Sequence, residues 1–594
     1  MNTTIQSRLA TLRQKMSEQD IKAVIIPSAD PHMSEYLPDC YKGREYFSGF
    51  TGSVATLVVG AEFAQLWADS RYWIQGEIQL QGTGIALCKL IGGQPAYGEY
   101  LADNLAKGDK VAIDGLTLSL GEFERLGDLF AKTGVELVIN DVVNTAWENR
   151  PALPSAPIYA HADNFVDTAT SEKLAQVRQK MSEKGADWHL ISSLDDIAWL
   201  TNLRGADVEC NPVFLSHLLI GKNTATLFVN EQSISNEINE LLKKAGIDTE
   251  NYDDIADCVK DLAGVVLIDP AKTAKGIVDY FPKDVEFVKA MNPSTLLKAV
   301  KSDNDIAHIR QAMVQDGAAL CEFFAEFEDK IASGETLDEV DISEMLISAR
   351  SRQPYYRGTS FDTIAGFGGN GAIVHYRAER PTCKTLQGDG LLLIDSGCQY
   401  DNGTTDITRM ASVGKVCDDA KRDVTYVLKA HIALARAVFL VGTPAPSLDM
   451  IARQPMWAVG LNYGHGTGHG VGYFLNVHEG PQSIAHSAPI TPERTMLKGM
   501  ITSNEPGLYR TDKWGIRIEN LVATVPAFTT EFGEFLKFED LTLCPIDTRL
   551  ILPELLNADE KDWLNAYHQK VHNALIDKVD GRAKEWLVER TKAI

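Results

Sequence analysis

The chain has 594 residues, enough for three or four domain-sized units, with the composition of an ordinary globular protein. Its formal net charge of -24 argues against a nucleic-acid surface, which needs a basic footprint, and against docking to anionic lipid. Nine scattered cysteines without a CxxC pair speak against a disulfide framework or a structural zinc site and predict reduced thiols in a cytoplasmic protein.

The first segment, "MNTTIQSRLATLRQKMSEQD", lacks the apolar core of a signal peptide and predicts an amphipathic helix. No apolar run in the chain approaches the ~18 residues a membrane-spanning helix requires. The hexamer "RQKMSE" at Arg13 to Glu18 recurs at Arg178 to Glu183. Each copy is followed by a short apolar strand and a Ser/Asp turn, "IKAVIIPSAD" in one case and "ADWHLISSLD" in the other. This pattern predicts a duplicated α/β unit, with domains at 1–155 and 160–295. Between them "RPALPSAPIYA" (Arg150 to Ala160) reads as a linker, because its prolines cannot sit in a core element.

A third domain is expected at 296–594. Its opening "DNDIAHIRQAMVQDGAALCEFFAEFEDKI" has helical period, and "TLDE" at Thr336 to Glu339 reads as a capping box that opens the next helix. Further on, "LLLIDSGCQYDNGTTDITR" (Leu391 to Arg409) places Asp395 at the end of an apolar run and Asp406 in a Thr-rich one. A tight turn at Asn402-Gly403 would set Asp406 opposite Gln399. Facing the two aspartates needs a turn centred between Tyr400 and Asp401, so a wider loop is expected. Facing like charges repel, and a bound cation would resolve the conflict. The bland reading is two turn aspartates in solvent.

In "PMWAVGLNYG", Trp457 sits in an apolar run and is read as core ahead of interface. The following stretch, "NYGHGTGHGVGYFLNVHEGP" (Asn462 to Pro481), has glycine at every second position from Gly464 to Gly472. Five glycines at ~1 kcal/mol each disfavour a helix. In an extended strand His465 and His469 would lie roughly 13 Å apart, which gives them different tasks unless the backbone bends. Neither a nucleotide-binding glycine loop nor HExxH is present. Beyond it, "ITSNEPGLYR" holds Glu505 before a proline, and "GIRIENLVAT" puts Arg517 and Glu519 on one strand face. Taken alone, that pair could be a surface ion pair of little consequence.

Two aspartates, one histidine and two glutamates are mostly hard donors, suited to Mn²⁺, Co²⁺, Fe²⁺ or Zn²⁺. Four carboxylates balance two divalent cations, and two such ions ~3.5–4 Å apart can share and acidify a water.

Asp395, Asp406, His469, Glu505 and Glu519, in this order and with these neighbours, resemble the ligand set of the pita-bread metallopeptidases, which include methionine aminopeptidase, prolidase and aminopeptidase P. The segments "GHGTGHGVG", "NVHEGP", "SNEPG" and "RIEN" look most like the Xaa-Pro aminopeptidase (aminopeptidase P) family in its long three-domain form. The resemblance implies an α/β (α+β) fold, two related N-terminal α/β domains followed by a C-terminal pita-bread catalytic domain. It implies that those five residues bind two divalent metal ions per chain, Mn²⁺ ahead of Zn²⁺ or Co²⁺. By the same resemblance His465, His478 and His375 of "GNGAIVHYR" line the cleft and donate hydrogen bonds to the substrate. Glu505 doubles as general acid/base, and Arg517 holds a ligand carboxylate in place. The implied activity is hydrolysis of the N-terminal Xaa-Pro bond of peptides by a hydroxide bridging the two metals, in a homodimer. The alternatives are Xaa-Pro dipeptidase (prolidase), which shares all five ligands, and a non-catalytic pita-bread binding protein, which should lack them.

Overall fold

The computed structural model describes residues 2–92, 94, 96–380 and 382–594, and its first helix, α1 (Asn2–Glu18), ends on the first copy of RQKMSE. Ile5, Leu9, Leu12 and Met16 form its buried stripe at helical spacing. Arg13 Nε donates to Gly60 O at 3.0 Å and its Nη2 to Phe63 O at 3.1 Å, so one guanidinium ties down both sides of a hairpin turn. That hairpin joins β2 to β3 in a six-stranded sheet of β1 (Ala23–Pro27), β2 (Thr56–Gly60), β3 (Ala64–Ala68), β4 (Ala86–Lys89), β5 (Lys110–Ile113) and β6 (Glu136–Ile139). The strand order is β4-β3-β2-β1-β5-β6.

The second hexamer repeats this construction. It closes α2 (Thr170–Glu183), where Met181 is buried like Met16. Arg178 donates to Gly221 O and Thr224 O at 3.1 and 3.0 Å, again across a hairpin turn. The sheet consists of β7 (Trp188–Ile191), β8 (Ser216–Gly221), β9 (Ala225–Val229), β10 (Asp248–Asn251), β11 (Val265–Ile268) and β12 (Glu286–Lys289), in the order β10-β9-β8-β7-β11-β12. In both sheets the first strand pairs antiparallel with the second and parallel with the fifth. The hexamer's Lys–Glu pairs are exposed on both helices, so its Arg and Met are the members that shape the fold. Residues 151–158 have no regular structure, and Tyr159–Ala160 pairs with Leu203–Arg204 of the second half.

The chain divides into two compact units, Met1–Thr295 and Leu296–Ile594. In the second, α3 (Asp303–Ser333) starts at a Ser302–Asp305 capping box and stops at Gly334, which is left-handed with φ 79°. The cap of α4 (Glu339–Ser351) corrects the sequence expectation. Asp338 caps it with Asp341, two residues beyond the expected box. Glu339 is instead buried, accepting hydrogen bonds from the N–H groups of Phe367 and Lys384, from Asn370 and from the Tyr376 hydroxyl.

Next come β13 (Gly390–Ser396) and β14 (Ile407–Val413), and here the expected wide loop is wrong. The pairs Asp395↔Thr408, Gln399↔Thr404 and Tyr400↔Gly403 leave a two-residue turn at Asp401-Asn402, so the aspartates are offset and do not face each other. Side chains decide this register. Tyr400 donates to Asp316 on α3, Arg357 makes two hydrogen bonds to Asp401, and Asn402 donates to Gln315. After α5 (Asp418–Ala435) and α6 (Ala445–Trp457), the expected core position of Trp457 is also corrected. It closes α6 46% exposed, with its indole N–H on Asn462. Four strands complete the site, β15 (Ile501–Asn504), β16 (Gly507–Arg510), β17 (Trp514–Arg517) and β18 (Asn520–Thr530). Among the described residues no helix is long and apolar enough to cross a membrane.

Candidate metal centre

Strand ends deliver the five expected ligands. Asp395 lies near the end of β13 and Asp406 just before β14. The antiparallel register of β15 and β18 ends on Asn504↔Asn520, so the next residues, Glu505 and Glu519, emerge together. His469 sits on a two-residue strand, Gly468–His469, whose backbone crosses β15. The glycines around it answer a packing need. A Cβ on Gly468 would lie 2.0 Å from Ser503 O, and one on Gly470 would lie 2.0 Å from Glu479 O. Only a residue without a side chain lets these backbones approach so closely.

The strand ends bring one ligand atom each of Asp406, His469 and Glu519 within 4.8 Å of one another. His469 Nε2 is 3.5 Å from Asp406 Oδ2 and 3.6 Å from Glu505 Oε1. Its Nδ1 lies 2.9 Å from Gly470 O. A carbonyl can only accept, so Nδ1 carries a proton and Nε2 is the atom turned to the carboxylates. Asp395 joins the group through Arg517, whose Nη2 donates to Asp395 Oδ2 at 2.5 Å. Arg517 and Glu519 do not share one strand, since β17 ends at Arg517 and β18 begins after Glu519. Both are nonetheless buried, so they are no surface ion pair.

Burial pushes the Asp395 carboxyl up to about 7, with Asp406 adding to the rise and Arg517 opposing it. Glu519 is raised well above the carboxylate range, again by burial and then by Asp406 and Asp395. For His469, burial is the largest influence and favours the neutral ring, yet Asp406 and Glu505 together hold it up at about 9. Crowded carboxylates thus retain protons that a cation would displace. The donor set fits a metal on a further count. Asp395 Oδ1 is buried without a hydrogen-bond partner, an arrangement that costs stability unless a cation meets it.

The other expected site residues fall nearby, with distinct surroundings. The His478 ring meets that of His469 edge to face, centroids 4.3 Å apart. His465 Nδ1 donates to Gly466 O at 2.7 Å, which leaves Nε2 to accept from the Tyr509 hydroxyl at 2.8 Å. Burial holds this ring at about 4, hence neutral, and both of its nitrogens are engaged within the protein. His375 is half-buried and follows the short helix Gly368–Ala372. That helix packs against β17, where Gly515 lacks the Cβ that would collide with Gly371 O.

Two neighbours were not anticipated. Tyr509 accepts from Arg517 Nη1 at 2.6 Å while donating to His465, which links that histidine to Asp395. Thr408 accepts from Arg517 Nε and donates to Glu519 Oε2 at 2.7 Å. Thr408 was findable, being two residues from Asp406 and so on its side of the strand. Tyr509 carries no such signal.

Family models match along the chain. The creatinase/prolidase N-terminal domain matches twice, at 8–142 and 149–305. Metallopeptidase family M24 matches 307–526, and the C-terminal region of peptidase M24 matches 534–594. Aminopeptidase P2 of Arabidopsis thaliana is 38% identical, over 99% of this chain and 89% of that protein. The "Probable Xaa-Pro aminopeptidase P" of Neurospora crassa is 37% identical, over 100% of this chain and 89% of its own. A crystal structure of X-prolyl aminopeptidase from Caenorhabditis elegans, described as a cytosolic enzyme with a di-nuclear active site, superposes with a TM-score of 0.95 at 30% identity and covers both chains fully. Full-length relatives and a carboxylate–histidine cluster built from strand ends lead to one conclusion: the chain belongs to the Xaa-Pro aminopeptidase P family of M24 metallopeptidases.

Proposed function

We propose that the protein releases the N-terminal residue from peptides with proline at the second position, in a metal-dependent hydrolysis. The observation that carries this reading is the convergence of Asp406, His469 and Glu519, with Glu505 beside His469 and a buried Asp395 whose Oδ1 has no hydrogen-bond partner and whose carboxyl feels the charge of Asp406. In this reading Asp395, Asp406, His469, Glu505 and Glu519 hold two divalent cations, Mn²⁺ ahead of Zn²⁺ or Co²⁺ because the donors are mainly oxygen. Such ions supply Lewis acidity to the scissile carbonyl and lower the pKa of water.

The chain's own groups do the rest. Glu505 takes the proton from the attacking water and passes it toward the leaving proline nitrogen. His375 and His478 donate to the substrate or to the oxyanion that develops from its carbonyl. His465 accepts from Tyr509 and so orients a hydroxyl that also receives Arg517. Arg517 keeps Asp395 turned toward the centre. Proline contributes a tertiary amide without N–H, so selection rests on the shape of its ring.

The same reading takes the domain division as 1–155, 160–295 and 296–594, supported by the two sheets of equal strand order. A cytoplasmic location is supported by nine cysteines that form no disulfide. A homodimer is supported by the exposed Met450 and Trp457, seven residues apart on one face of α6.

The test compares kcat/KM for Arg-Pro-Pro, Ala-Pro and Ala-Ala-Ala in one buffer with Mn²⁺. Arg-Pro-Pro should be turned over best. Preference for Ala-Pro would make the protein a prolidase, and equal rates on Ala-Ala-Ala would remove the proline requirement.

A further inference from the structure

One buried ion pair outside the ligand set reaches straight into the histidine segment. On α6, Asp449 and Arg453 stand four residues apart, both fully buried, with Arg453 Nε donating to Asp449 Oδ2 at 2.6 Å. Such a pair says little about stability, since desolvation offsets the attraction. Its other hydrogen bonds say more. Arg453 Nη1 donates to Tyr463 O at 2.7 Å and Asn462 Oδ1 at 3.0 Å, and Nη2 donates to His465 O at 2.6 Å. The guanidinium also lies 3.9 Å from the centre of the Tyr463 ring. Asp449 Oδ1 accepts from the Thr467 hydroxyl at 2.5 Å, and its Oδ2 also receives His486 Nδ1 at 2.7 Å. Thr467 O in turn accepts the Glu505 N–H at 2.8 Å.

Residues 462, 463, 465 and 467 are therefore tied to one helix, and Gly464 and Gly466, which flank His465, bring the wide φ/ψ freedom of residues without a Cβ. A planar guanidinium with a fixed fork removes that freedom by holding carbonyls two residues apart. We propose that Asp449 and Arg453 are positioning residues, which fix the His465 imidazole against Tyr509 and through it the Tyr509–Arg517–Asp395 chain. The inference rests on the aminopeptidase reading above. Lysine cannot replace Arg453, because the four hydrogen bonds leave three separate guanidinium nitrogens, whereas an ammonium has three donors on one nitrogen.

The experiment measures kcat, KM and bound Mn²⁺ on an Xaa-Pro tripeptide for the parent, Arg453→Lys, His465→Ala and the double variant. Arg453→Lys should lose roughly 10–100-fold in kcat, with KM within about 3-fold and metal content unchanged. The double variant should be no slower than His465→Ala alone within about 3-fold, because both changes remove the same function. Parental kcat in Arg453→Lys, or losses that multiply in the double variant, would overturn the proposal. If Arg453→Lys does not fold, Asp449→Asn in the same pairing with His465→Ala decides by the same criteria. A parent inactive on every Xaa-Pro peptide would overturn the functional reading instead, so the two failures are distinguishable.

Discussion

Four carboxylates gather at this centre, and among them Asp395 is held by the buried guanidinium of Arg517 while Asp406 and Glu505 face His469. Each carboxylate therefore has its own neighbour problem, and the histidines divide accordingly. His469 Nε2 faces Asp406 and Glu505, whereas His465 Nε2 is taken by Tyr509 and His478 meets His469 by its ring. His469→Ala should therefore lower bound metal, and Asp406→Asn should do so more strongly while abolishing turnover. His478→Ala should keep metal and lose on the order of 10²–10³ in kcat, the usual effect of removing one transition-state donor. His465→Ala should keep metal and lose kcat through the Tyr509 hydroxyl it orients. Metal analysis beside steady-state kinetics checks this division, and equal metal loss in all three histidine variants would end it. These residue types were legible beforehand because acids and imidazoles at strand ends are poor strand formers and stand out. Tyr509 was not, since its role depends on a partner, His465, 44 positions away.

At the scale of elements, legibility followed the range of the deciding forces. The long helix α3 could be read from its period because its cap, its stripe and its terminal glycine are all local. The cap of α4 was misplaced because two box patterns overlap, Thr336-to-Glu339 and Asp338-to-Asp341. Tertiary hydrogen bonds to Glu339 decide between them. The turn between β13 and β14 was likewise set by Asp316 and Arg357, distant in sequence. The glycine ladder was legible as close packing but not as to its partner. Gly468→Ala puts a Cβ against a backbone oxygen of β15, which cannot rotate away. It should destabilise the protein by ~1–3 kcal/mol, as overpacking does, and weaken metal binding by moving His469 relative to Glu505. Thermal unfolding with and without Mn²⁺ measures both effects. An unchanged midpoint would show that β15 yields freely.

For the molecule as a whole, the raised groups couple the centre to pH. Without metal, Asp395 titrates at about 7 folded against an ordinary 3.8, so between those values the folded state binds more protons than the unfolded one. The stability this gives falls as pH rises through about 4 to about 7, and Glu519 acts in the same direction. His469, raised from 6.5 to about 9, contributes below its unfolded value and loses that contribution as pH climbs through about 9. A metal-stripped sample should thus melt at progressively lower temperature from about pH 5 to about pH 9, while divalent cations replace those protons in the loaded protein. The gap between the two midpoints should widen across that range by on the order of 5 °C. A constant gap, or full activity after exhaustive chelation, would contradict the metal-centred account.

The twin sheets of the first unit carry a consequence for how the chain is made. Two stretches that specify the same strand order offer each other's strands as decoys, and exchange between such halves is a known failure of repeated architectures. Both sheets end on short outer strands that carry charge and are partly exposed, Ala86–Lys89 and Glu136–Ile139 in one, Asp248–Asn251 and Glu286–Lys289 in the other. Edges of that kind resist further pairing. During synthesis the first half can close around Arg13 and its hairpin before the second emerges. A chain diluted from denaturant has no such head start, and its two copies compete from the outset.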